Sequence, residues 1–179
     1  MRRFILTLML VLVASLPTRA EGLGDLVYEV KGGLLYHDMD NLWSGFRRES
    51  GVDLNAELVF TPSLPVLGGA IRPALGGSLN SSGDTSKAYL DAVWSYETNI
   101  GLYFGLGLGA AVHNGDLELR SRDHKALGSR VLFHIPAEIG YRFDGHNGIS
   151  LYFDHVSNGF LASPNEGMDT LGVRYGYKF

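Results

Sequence analysis

Cysteine is absent from the 179-residue chain, so no disulfide can hold it together and no thiolate can bind a metal or attack a substrate. Basic excess is absent as well: 15 Lys and Arg stand against 19 Asp and Glu, a formal charge of -4 that argues against nucleic acid as a partner. Beyond residue 20 no apolar run reaches the roughly 20 residues that a transmembrane helix needs, and no helical period is sustained. The histidines at 37, 113, 124, 134 and 146 are scattered, without ligand-like spacing, so no metal or cofactor is expected.

The opening "MRRFILTLMLVLVASLPTRA" has two arginines, an apolar run from Phe4 to Leu16, and small residues at Thr18 and Ala20. This is the layout of a secretory signal peptide, with cleavage expected after Ala20 and one domain expected over 21–179. Removing it takes away Arg2, Arg3 and Arg19 and no acid, which moves the formal charge from -4 to -7.

What the remaining chain has is alternation. Ile100, Leu102, Phe104, Leu106, Leu108, Ala110 and Val112 share one face, opposite Gly101, Tyr103, Gly105, Gly107, Gly109 and Ala111. In "VDLNAELVF" the apolar positions oppose Asp53, Asn55 and Glu57, and in "VLFHIPAEIGYRF" they oppose His134, Glu138 and Arg142. Successive strand side chains point to opposite sides, so each segment has one apolar and one charged face. A soluble sandwich and a membrane barrel both use alternation, but charges gathered on one face of nearly every strand fit a polar interior with lipid outside. The last segment, "TLGVRYGYKF", ends on an aromatic residue and resembles the C-terminal strand of bacterial outer-membrane proteins.

The expected fold is therefore all-β: an eight-stranded antiparallel transmembrane β-barrel of outer-membrane type. Its strands are expected at about 25–37, 50–61, 69–80, 87–97, 99–113, 129–143, 148–158 and 169–179. Both termini then lie on the periplasmic side, and eight strands leave an interior filled by side chains. Asp53, Glu57, Glu138, Arg142, Arg174 and Lys178 are expected to point inward and neutralise one another. Pro73 and Pro136 fall within strands, where a missing N–H suggests a bulge.

Near the end stands "LYFDHVSNGF". His155 and Ser157 continue the outward register of Ile149, Leu151 and Phe153, at the extracellular end of their strand. Polar groups beside hydrocarbon are costly unless they lie among headgroups or have a function. Counting back from Leu171 and Val173 puts Asp169 on the same outward face, across the connection "GFLASPNEGM". Serine, histidine and carboxylate together can perform acyl transfer.

"HVSNG" followed by "PNEGMD", in an exported eight-strand pattern with a terminal phenylalanine, resembles the lipid A 3-O-deacylase (PagL) family of outer-membrane barrel esterases. The resemblance implies that His155 and Ser157 are catalytic, that Asn158 helps form the oxyanion site, and that the family's acid, a glutamate, falls on Asp169. Glu166, in the loop, is the second choice for the acid. Lipopolysaccharide in the outer leaflet is the implied substrate, with loss of its 3-O-linked acyl chain as a 3-hydroxy fatty acid. Arg47, Arg48, Arg120, Arg122 and Lys125, in long outer loops, are candidate contacts for its phosphates or else a solvated face. Two other readings stay open: a non-enzymatic adhesin or structural barrel, and a lipid A acyltransferase. A homodimer is also left open.

Overall fold

The structure is a computed structural model and describes residues 22–46 and 49–179. The expected signal peptide, and with it Arg2, Arg3 and Arg19, lies outside the described residues. A helical turn, α1 (Leu23–Leu26), leads into β1 (Val27–Tyr36). The other strands are β2 (Val52–Phe60), β3 (Leu64–Val66), β4 (Gly69–Asn80), β5 (Lys87–Glu97), β6 (Leu102–His113), β7 (Val131–Arg142), β8 (Asn147–Ser157) and β9 (Met168–Lys178).

Each wall strand pairs antiparallel with its sequence neighbours, β1 pairs with β9, and β2 pairs with β4. These pairings close an eight-stranded barrel and satisfy the backbone donors and acceptors internally, as a hydrocarbon environment requires. The ninth strand, β3, is a three-residue hairpin arm on β4 within the connection between β2 and β4. The outer loops are loop 1 (37–51), loop 2 (81–86), loop 3 (114–130) and loop 4 (158–167).

Alternation translates directly into inside and outside. In β2, Asp53, Asn55, Glu57 and Val59 are buried, while Val52, Leu54 and Leu58 are exposed on the outer wall. Arg174, Glu138, Arg142, Asp53 and Glu57 are all buried within the barrel. Arg174 pairs with Glu57 at 3.2 Å and with Glu138 at 2.9 Å, and its guanidinium lies 3.7 Å from the Tyr152 ring. Arg142 pairs with Glu29 at 2.9 Å and with Glu97 at 3.2 Å, and Lys178 reaches Glu97 at 3.1 Å. A charge this deep is tolerated only when paired and hydrogen-bonded, so these acids and bases must be inside together.

The expected bulges at the prolines are not found. Pro73 keeps its register against Ala92, and pairing of β4 with β2 ends one residue away, at Ala74. Pro136 remains opposite Asp154, while on its other side the β6 ladder skips from Leu106 to Gly109 without changing register. A missing N–H removes one donor, and the chain tolerates that by leaving a gap. The register shift in the barrel wall occurs in β1 instead, between Val27 and Glu29.

Candidate active site

β8 and β9 form an antiparallel ladder in which Phe153 faces Leu171 and, two residues further up, His155 faces Asp169. The expected outward register therefore holds. Directly opposed residues have Cβ atoms about 5 Å apart, and the side chains meet: His155 Nδ1 lies 2.6 Å from Asp169 Oδ1. On the other side of the ring, Nε2 lies 3.0 Å from Ser157 Oγ. The three groups thus form one line, carboxylate to imidazole to hydroxyl.

Their surroundings differ from the bare, lipid-facing patch that alternation suggested. His155 and Asp169 are buried and Ser157 is half-buried, because loop 1 folds over the outer wall. The Trp43 indole stacks on the His155 ring, with centroids 4.3 Å apart and planes 12° from parallel. Asp169 Oδ2 accepts hydrogen bonds from the Ser44 backbone N–H at 2.7 Å and the Ser44 hydroxyl at 3.0 Å. The ring edge is met by Gly167, where an added Cβ would come within 2.7 Å of His155 Cε1. Neither Trp43 nor Ser44 was singled out in the sequence; the only signal is a tryptophan beside a serine within a polar outer loop.

Loops 3 and 4 close the other flank. The Asn158 side chain, expected among the oxyanion donors, is occupied: its Nδ2 donates to the Leu127 carbonyl at 3.0 Å and the Pro164 carbonyl at 2.7 Å. Both amide hydrogens are consumed in tying loop 4 to loop 3, so the side chain has a structural task. Contact there is close enough that a Cβ on Gly128 would lie 1.8 Å from the Pro164 oxygen. The Asn158 backbone N–H donates to Asn165 Oδ1 at 2.9 Å, which holds the Asn165 carboxamide one peptide from Ser157. Among the described residues, Asn165 Nδ2 has no acceptor, and Gly159 and Phe160 carry backbone N–H groups without one, at φ +61° and +65°.

Glu166, the second choice for the acid, accepts a hydrogen bond from the Ala126 N–H at 2.7 Å and joins loop 4 to loop 3. The imidazole nitrogen that an acid would hold is already taken by Asp169. Lys125, expected to face phosphates, is fully buried: its Nζ donates to the Gly167 carbonyl at 2.6 Å, pairs with Asp38 at 3.1 Å and lies 4.2 Å from the Phe46 ring centroid. Arg120 and Arg122 are exposed on loop 3. Arg47 and Arg48 lie outside the described residues.

Beneath the outer loops sits a knot of charge. His37 is wedged between Asp53 at 2.8 Å and Glu49 at 3.0 Å. Glu49 also accepts from the Thr85 and Lys125 backbone N–H groups, each at 3.0 Å. Burial opposes a charge on His37, but the two carboxylates outweigh it and raise its pKa to about 9. Burial likewise opposes the Glu49 carboxylate, and its hydrogen bonds from His37, Lys125 and Thr85 outweigh that, holding it at about 2. The knot ties loops 1, 2 and 3 together above the barrel. The other histidines are separate: His134 bonds Asp91 at 2.8 Å, His113 the Ser129 carbonyl, His146 the Lys178 carbonyl, and His124 lies near Asp84 and Asp116.

Below the triad the outer wall is concave. A groove of about 530 Å³ is lined by apolar outward residues, among them Phe104, Leu106, Ala137, Ile139, Phe153 and Leu171. Its small Ala137 sits between larger neighbours, beside the ladder gap at Pro136. Phe153 and Leu171 form the cross-strand pair directly below His155 and Asp169, so the groove ends about 7 Å, two residues of strand, beneath the pair.

The lipid A 3-O-deacylase (PagL) family matches the chain over residues 70–178. A lipid A deacylase PagL from Bordetella bronchiseptica is 28% identical over 115 residues, covering 61% of this chain and 62% of that protein. The chain thus spans a little under two thirds of that relative's length. The crystal structure of the outer membrane enzyme PagL is similar at TM-score 0.63 and 17% identity, over 84% of this chain and 99% of that one. The N-terminal β-barrel domain of Pseudomonas aeruginosa OprF is similar at TM-score 0.54 and 15% identity, over 86% of this chain and 98% of that one. Barrels of different names share the architecture, so the fold by itself does not argue an activity. The matched stretch contains His155, Ser157 and Asp169, and the chain belongs to the lipid A 3-O-deacylase (PagL) family of outer-membrane β-barrels.

Proposed function

We propose that the protein is an outer-membrane ester hydrolase that removes the 3-O-linked acyl chain of lipid A, using Ser157, His155 and Asp169. The observation that carries this reading is the unbroken Asp169–His155–Ser157 line on the outward face, directly above an apolar groove. A triad on the outer wall, beneath loop 1 and beside an apolar groove, is suited to a substrate that never leaves the leaflet. The acyl chain lies in the groove, and its ester reaches the hydroxyl at the groove's upper end.

Ser157 Oγ attacks the ester carbonyl while His155 Nε2 takes its proton, and Asp169 holds the Nδ1–H tautomer and stabilises the imidazolium. Developing negative charge on the carbonyl oxygen needs donors in place beforehand. The Asn165 Nδ2 and the Gly159 and Phe160 N–H groups are the donors near Ser157 without acceptors, and this role passes to them from the Asn158 side chain. His155 then protonates the sugar oxygen as it leaves. Water, deprotonated by His155, cleaves the acyl-serine and frees a 3-hydroxy fatty acid. Arg120 and Arg122 are proposed to meet the phosphates of lipopolysaccharide.

The test is mass spectrometry of lipid A from cells with and without the protein, and with Ser157→Ala. Loss of one 3-hydroxyacyl chain only with the wild-type protein is the expected result. An unchanged lipid A would make the barrel non-enzymatic, and an added chain would make it an acyltransferase.

A further inference from the structure

We infer that loop 1 completes the catalytic apparatus, with Ser44 and Trp43 as positioning residues acting on Asp169 and His155. The inference rests on the esterase reading of the same site. Two consecutive side chains of one loop engage two successive members of the line, and each contact restrains a motion that catalysis cannot tolerate.

Asp169 is a short acid, with two torsions between backbone and carboxylate. Its Oδ1 serves His155, and its Oδ2 receives two donors from Ser44, 125 residues away in sequence. With both oxygens engaged in different directions the carboxylate cannot rotate, and Oδ1 stays directed at Nδ1. Loop 1 is fastened to the same residue a second time, since the Met39 N–H donates to the Asp169 carbonyl at 2.8 Å.

The imidazole is restrained in the remaining directions. Asp169 and Ser157 hold its two nitrogens, Gly167 crowds Cε1, and the Trp43 indole lies nearly parallel over one face. An aromatic face over a cationic ring is attractive, so the stack favours the imidazolium that forms as Ser157 attacks. The indole is itself 61% exposed. It covers His155 with one side and offers the other to the headgroup region, where tryptophan is well suited. Behind it, His37 and Glu49 fasten both ends of loop 1 to the top of the barrel.

The experiment uses the full barrel in detergent micelles, with two readouts: steady-state deacylation of lipid A, and the rate at which a fluorophosphonate labels Ser157 without any lipid substrate. Retained heat-dependent gel mobility certifies that each variant is folded. Ser44→Ala and Trp43→Ala are each expected to lower kcat and the labelling rate by roughly ten-fold, the scale of one bond to a charged group or one cation–aromatic stack. KM should stay within about two-fold of wild type, the signature of an interaction made in the transition state. Ser44→Thr and Trp43→Phe, which keep a hydroxyl and an aromatic face, should recover most of the rate. Unchanged labelling and kcat in both alanine variants, a raised KM at constant kcat, or threonine and phenylalanine variants no better than alanine would each overturn the inference. A wild-type protein that neither labels nor deacylates would instead remove the esterase reading itself.

Discussion

His155 and Asp169 face each other across the β8–β9 ladder, with Nδ1 and Oδ1 2.6 Å apart and the carboxylate wholly buried. Strand register fixes where the two backbones place these side chains, and the loop 1 contacts of Ser44 and Trp43 fix how they turn. The consequences can be measured.

On the proposed roles of Ser157 and His155, Ser157→Ala and His155→Ala should each lower deacylation by roughly a thousand-fold or more, since a nucleophile and its base act as a unit. Both side chains lie outside the barrel interior, so the variants should fold as the wild type does. Near-normal release of fatty acid by either variant, followed by thin-layer chromatography, would remove the assignment.

Asp169→Asn should be far more damaging than Glu166→Gln. The amide at 169 can present an N–H to Nδ1 and favour the wrong imidazole tautomer, whereas a glutamine at 166 still offers an oxygen to the Ala126 N–H. The ratio of the two kcat values is the measurement; equal loss in both would shift the acid to loop 4.

Gly167→Ala should disable the site while sparing the barrel. Its new Cβ would come within 2.7 Å of His155 Cε1, and the ring already has Trp43 on one face and partners on both nitrogens. We expect folded protein whose fluorophosphonate labelling is at least about ten times slower, in keeping with the cost of a small misplacement. A crystal structure of the variant with an undisplaced imidazole would contradict this account.

The charge knot predicts a pH window for loop 1. His37 titrates at about 9, above its ordinary 6.5, so its contribution is fully present below about 6.5 and disappears as pH rises through about 9. Glu49 titrates at about 2, below its ordinary 4.5, so its contribution is present above about 4.5 and disappears as pH falls through about 2. Asp53, Asp38 and Lys125 face the same knot from β2, loop 1 and loop 3. Hydrogen exchange of the Met39 and Ser44 amides, corrected for intrinsic rate, should be steady from pH 5 to 7 and accelerate through about 9. His37→Ala should abolish that step; a step that persists in the variant would place its origin elsewhere.

Much of this molecule was legible in the chain because a period of two is hard to disguise. Charges such as Glu57, Glu138 and Arg174 mark the inner face, and counting by twos from Phe153 and Leu171 reaches His155 and Asp169 on one side. Loop residues were less legible for a physical reason: their burial is decided by contacts far away in sequence. From sequence Lys125 reads as an outer base facing phosphate or solvent, yet Asp38, Glu49 and Gly167 enclose it. Asn158 stands beside Ser157 in sequence, and only the approach of loop 3 shows where its amide goes. Ser44 and Trp43 reach the site through a loop path that alternation does not encode.

The Arg174, Glu138 and Glu57 side chains, buried and ion-paired, cross the middle of the barrel. On the esterase reading, a fatty acid cut at the outward-facing triad is released on the outer wall and not into the barrel interior. It must diffuse laterally from the outer wall into the surrounding leaflet, so turnover should respond to the fluidity of that leaflet and to the detergents or lipids packed against the groove.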